Sequence, residues 1–151
     1  MPIVIPAEGA ILERVLETSH SLLSEGLSRH AYGRFDAAQM RTTWGRRHQR
    51  RFALVDGGDV LASAMQYDLA AVLDQQPMRV CGIADIFPPP TQPAGGSARE
   101  LVDRLLEQAA RDGAAVGLLF SDMRDEQQIA GFDVVPTTDV EIAVAESSRR
   151  G

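Results

Sequence analysis

The run from Arg79 to Asp122, "RVCGIADIFPPPTQPAGGSARELVDRLLEQAARDGAAVGLLFSD", changes its pattern three times. "MRVCGIADIF" (78–87) is mostly apolar, as in a strand, and Pro88, Pro89 and Pro90 end it because proline has no N–H for a ladder. From Gly96 onward, Leu101, Val102, Leu105, Leu106 and Ala109 recur at the spacing of one helical stripe. Gly113 then stands where a left-handed helix end is wanted. "AAVGLLF" (114–120) reads as a buried strand, so the run as a whole is a strand–loop–helix–strand unit.

A glycine-rich turn feeding a helix exposes several N–H groups at the positive end of the helix dipole. The groups in position here are the amides of Ala94, Gly95, Gly96, Ser97 and Ala98, whereas Pro93 cannot donate. Aligned donors of this kind suit a pyrophosphate. The same residues also suit a plain turn with Ser97 or Gly96 as the helix cap. The turn lacks both the Lys-Ser/Thr pair of a P-loop and the three spaced glycines of a dinucleotide fingerprint.

Upstream, "RFALVDGGDVLASAMQY" (51–67) is two strands around Asp56-Gly57-Gly58-Asp59, a hairpin signal because glycine supplies positive φ. "LAAVLDQQP" (69–77) reads as a loop or partial strand. "AEGAILERVLETSHSLLSEGL" (7–27) has helical periodicity, and Ser28–Arg50 reads as a second helix with irregular connections. Downstream, "SDMRDEQQIAGF" (121–132) reads as a short helix, and "DVEIAVAE" (139–146) closes the sheet. The expected architecture is α/β (α+β): one domain over residues 1–145, a frayed tail at 146–151, and a mixed sheet flanked by helices.

The 151 residues carry 15 Lys and Arg against 21 Asp and Glu, a net charge of −6 that argues against nucleic acid as a general partner. No apolar run approaches the roughly 20 residues of a membrane span, and the proline-broken start has no basic leader. The lone Cys81 and three scattered histidines make no disulfide framework and no metal pattern. A cytoplasmic protein without a metal is expected. "RRHQRR" (46–51) is the one dense basic cluster, read as a solvated face.

The run 79–122, followed by "AGFDVVP" (130–136), resembles the GNAT superfamily of acetyl-CoA-dependent N-acetyltransferases. It is most similar to a bacterial branch with Gly-Ile-Gly-Ala-Val-Phe-Thr-Pro-Pro, then Arg-Gly-Arg-Gly-His-Ala, then Leu-Leu-Phe-Ser, then Tyr-x-x-Leu-Gly-Phe. "FALVDGGDVLASAMQYDL" (52–69) resembles that branch's first hairpin, so the similarity spans roughly residues 41–145 in order. The resemblance implies a mostly antiparallel sheet splayed at its central strands, with acetyl-CoA as co-substrate. It places the pyrophosphate on the amides of 94–98 and the pantetheine arm along the backbone of Ile86 and Phe87. It implies an amine of a small molecule or peptide as acceptor, and leaves room for a homodimer.

Two departures stand out. In the register that keeps Gly96 and Ala98 of the family's Gln/Arg-x-x-Gly-x-Gly/Ala loop, Pro93 occupies the arginine position. "RDEQQIAGF" (124–132) also lacks the tyrosine that commonly protonates the departing thiolate, leaving Ser121 or water for that task. Asp85 alternates with Ile83 and Phe87 at the splay and is the candidate general base, with burial raising its pKa; the other reading pairs it with an arginine such as Arg79. Tyr67, Tyr32 and Trp44 are candidates for lining the acceptor site, each with core packing as the alternative. The functional expectation is an N-acetyltransferase acting by direct attack, or else a catalytically impaired module of the same fold.

Overall fold

The structure, a computed structural model, describes residues 1–89, 96–120 and 131–135. Five strands form one sheet in the order β1 (Ile3–Pro6), β2 (Gln49–Asp56), β3 (Asp59–Leu73), β4 (Gln76–Phe87), β5 (Ala114–Leu119). The first four neighbours pair antiparallel and β5 runs parallel to β4. Helices α1 (Gly9–Leu23), α2 (Arg29–Arg41) and α3 (Thr43–His48) lie between β1 and β2, and α4 (Gly96–Arg111) crosses from β4 to β5.

Each turn has a local cause. Gly57 and Gly58 both take positive φ between β2 and β3, as the tight hairpin turn requires. Asp74 and Gln75 do the same between β3 and β4 with no glycine present, so 69–77 is not a loop but two strands and a turn. β3 therefore runs 15 residues, beyond the point where β2 begins opposite Tyr67. Ser28 accepts from the N–H of Ala31 to start α2, and Thr42 accepts from Gly45 to start α3. The N-terminal "IVIP" is an edge strand on β2, unforeseen because four residues carry too little periodicity to register.

The two faces of the sheet bury separate clusters. α4 lays Ala98, Leu101, Val102 and Leu105 onto Leu54, Ala62, Ala64, Cys81 and Ile83. Each fully buried leucine or isoleucine there contributes about 1.5–3 kcal/mol. On the other face Val15 of α1 packs on Ala7, Ala53 and Val55. β5 is less buried than its composition suggests, with Val116 and Leu118 partly exposed. The expected helix at 121–130 and last strand at 139–146 lie outside the described residues, as do Ala94, Gly95 and Ser121.

Candidate functional site

Among the described residues, the ladder between β4 and β5 ends partway along β4. Their parallel register runs from Arg79 opposite Ala114 to Ile83 opposite Leu119, and the N–H of Phe120 donates to the carbonyl of Ile83 at 2.8 Å. Beyond that bond, Ala84–Phe87 have no β5 partner among the described residues. On the other side they pair with β3, with Ala84 opposite Met65 and Phe87 opposite Ser63. Two residues, Asp85 and Ile86, thus face the single Ala64, which makes a bulge, and Asp85 takes φ +51 to accommodate it. Bulges re-aim side chains, and aspartate is one of the few non-glycine residues that tolerates this backbone region.

The bulge sends the two side chains apart. Ile86 goes into the core beneath α4. Asp85, 45% exposed, meets Arg51 of β2 at 3.4 Å. It is neither buried nor paired with Arg79, which instead bonds Asp68 and the carbonyl of Asp112. Arg51 is the buried member, 5% exposed, and its stronger contact is Asp36 of α2 at 2.9 Å. Arg51 Nε and Nη1 are buried without a partner among the described residues, as is the hydroxyl of Ser63. The basic run is therefore not one solvated face. Arg51 shares its side of β2 with Ala53 and Val55, facing the α1–α2 layer, whereas Arg50 stays exposed.

Beside this network stands an aromatic wall. Trp44, 47% exposed, stacks between His48 (centroids 5.3 Å) and Tyr67 (6.0 Å), and Phe120 meets Tyr67 edge-on at 6.5 Å. Tyr67 of β3 and Phe120 after β5 meet over Gly82 of β4, where an added Cβ would lie 3.0 Å from the Phe120 ring and 3.3 Å from Tyr67 Cβ. Burial pushes the Tyr67 phenol above its usual range; Asp85 and Asp36 add to the rise and Arg51 opposes it. Tyr67 therefore stays a neutral hydroxyl donor near the splay. Tyr32 does not join this group. It is buried in the α1–α2 layer, edge-on to His20 and with its hydroxyl 3.4 Å from Ser19.

At the other margin of the splay, α4 starts at Gly96, so the N–H groups of Gly96, Ser97 and Ala98 have no acceptor within the helix. The side chain of Ala98 is packed into the core, which leaves backbone as what this turn presents. Arg47 and Arg50 line a cavity of about 690 Å³ together with the far end of α4. Helical rise puts the two ends of α4 about 24 Å apart, so this cavity lies away from the start of α4, although His48 and Tyr67 line it as well. Among the described residues, no group of three His, Cys, Asp or Glu is placed to hold a metal, and no helix is long and apolar enough to cross a membrane.

No protein-family model matches the sequence, and no curated protein matches it by sequence. Solved structures match it by shape. An apo aminoglycoside antibiotic 6'-N-acetyltransferase from Acinetobacter haemolyticus aligns with TM-score 0.70 at 12% identity, over 95% of this chain and 99% of that one. A GNAT family acetyltransferase of Staphylococcus aureus aligns with TM-score 0.63 at 12% identity, over 95% and 98%. The chain has the GNAT fold. A predicted acetyltransferase from Clostridium acetobutylicum, determined with acetyl-CoA, aligns with TM-score 0.61 at 15% identity, over 96% of each chain. At such identities the likeness is one of architecture.

Sequence reasoning missed Arg51, Asp36, His48 and Phe120. A signal for Arg51 was present: "RFALV" is apolar on alternate positions of both faces, so an arginine in phase with Ala53 and Val55 is directed into a covered layer.

Proposed function

We propose that the chain is an acetyl-CoA-dependent N-acetyltransferase whose acceptor is the amine of a small molecule or peptide. The observation that carries this reading is the edge of β4 at Ala84–Phe87, which has no β5 partner among the described residues, with a half-exposed carboxylate, Asp85, standing on it. A strand edge with unpaired N–H and C=O groups suits the amide-bearing pantetheine arm, and the first-turn amides of Gly96–Ala98 suit a pyrophosphate. When bound, acetyl-CoA supplies the activated acyl group.

The chain's own residues have separable tasks. Asp85 accepts a proton from the incoming ammonium, directly or through water, and Arg51 fixes the direction of its carboxylate. Trp44, Tyr67 and Phe120 offer apolar and π surface on the acceptor side. Tyr67, held neutral, can donate a hydrogen bond in a site whose following segment has no tyrosine in "RDEQQIAGF". The second reading, a non-catalytic module of the same fold, is favoured by Pro93 at the position where arginine is usual.

Thiol release from acetyl-CoA across a panel of amines separates the two. The enzyme reading expects amine-dependent release that falls about 10²–10⁴-fold in Asp85→Asn, the usual contribution of a general base. Tight acetyl-CoA binding with no release on any amine would establish the module instead.

A further inference from the structure

The arm formed by the far halves of β3 and β4 belongs to neither the splay nor the core. β3 pairs with β2 only as far as Tyr67, so Asp68–Leu73 pair with β4 alone among the described residues. Val72 is 71% exposed and Leu73 58%, and Ala70, Ala71 and Pro77 are exposed beside them. Leu73 and Gln76 close a two-residue turn, and the closing pair of such a hairpin is hydrogen-bonded. Bonded pairs alternate along an antiparallel ladder, so Asp68, Ala70 and Val72 direct their N–H and C=O groups away from β4. The result is an apolar, unpaired edge six residues long, with neither lysine nor proline to guard it.

We propose that a second copy of this chain pairs with that edge, β3 against β3, extending the sheet across a two-fold axis. Antiparallel pairing of a strand with itself is the arrangement a two-fold allows, because the same patch serves both partners. Centring it on Ala71 matches outward-facing groups to outward-facing groups and keeps Leu73 clear of Tyr67, which β2 already pairs. That register carries the tip, Asp74–Gln75, to the start of the second copy's β2, which is where β2 joins β3 opposite Tyr67. There the cavity of about 690 Å³ opens, lined by Arg47, His48, Arg50 and Asp68 among others. Arg47 and Arg50 are exposed and make no ion pair among the described residues. An acidic tip thus meets a basic notch, and both features repeat by symmetry. Stable interfaces bury roughly 800 Å² per partner; six edge residues and a notch are on the small side, so dissociation is expected at about 1–100 µM.

Sedimentation equilibrium of the full chain over that concentration range tests the proposal. Wild type should pass from monomer to dimer. Ala70→Pro removes an outward N–H while leaving the bonds to β4, and should raise the dissociation constant about tenfold or more because the loss enters twice. Arg50→Glu should weaken the dimer, and adding Asp74→Arg in the same chain should restore it. A chain monomeric at about 100 µM, a dimer indifferent to Ala70→Pro, or a charge swap that restores nothing would each overturn it.

Discussion

Arg51 brings a full charge into the α1–α2 face of the sheet and is held there by Asp36 at 2.9 Å and Asp85 at 3.4 Å. The two carboxylates differ in what they protect. Asp36 is as buried as Arg51, so Asp36→Asn leaves a buried guanidinium short of charge and should cost about 3–5 kcal/mol, read as a lowered urea midpoint. Asp85 is half exposed, so Asp85→Asn should leave the midpoint nearly unchanged and act on turnover instead. Equal losses of stability in both variants would contradict this division. Two other residues predict how stability depends on pH. Burial, above other causes, raises the Cys81 thiol above 9.0 and the Tyr67 phenol above 10.0. In each case the unfolded chain gives up its proton first. Stability is therefore full below those values and is lost as pH climbs through and beyond them. A urea series from about pH 8 to 11 should show the decline beginning near pH 9, its first part relieved in Cys81→Ala and its later part in Tyr67→Phe.

Among the elements, α3 is the one whose sequence leaves least freedom. A Cβ added at Gly45 would lie 2.2 Å from the backbone oxygen of Gln39 and 2.8 Å from the Thr42 hydroxyl that caps the helix. Gly45→Ala should therefore displace α3, cost about 1–3 kcal/mol, and disturb the Trp44–Tyr67 stack; near-ultraviolet circular dichroism of the aromatics would report it. The reading of elements from sequence succeeded where one signal was strong: the Gly57-Gly58 turn, the α4 stripe, and Gly113 with its φ of +99. It failed at Asp74-Gln75, because a left-handed turn built from an acid and an amide carries no glycine to announce it. It failed at Arg51 because a run of basic residues reads as surface unless the strand's two-residue period is applied to each residue in turn. Asp85 was legible as the strand's odd residue, but the bulge that turns it toward Arg51 follows from pairing between strands distant in sequence.

In the molecule as a whole, helices cover both faces of the sheet, and among the described residues the pairing of β4 with β5 ends at the bond from Phe120 to Ile83. A splay at these strands was an expectation carried by the resemblance of residues 79–122 to the GNAT superfamily; Arg51 and Phe120, which stand beside the end of the β4–β5 ladder, were not legible in the sequence. The edge of β4 beyond that bond, with the first-turn amides of α4 on one margin and the Asp85–Arg51 network on the other, is the proposed acetyl-CoA site. Calorimetric titration of the full chain with acetyl-CoA tests it most directly when repeated on Gly96→Pro. Proline is well accommodated at the first position of a helix, so the variant loses a donor at the proposed pyrophosphate site while α4 is kept. One saturable site is expected in the wild-type chain, with binding weakened about tenfold or more in the variant; no heat at about 1 mM acetyl-CoA, or equal affinity in both proteins, would overturn the assignment.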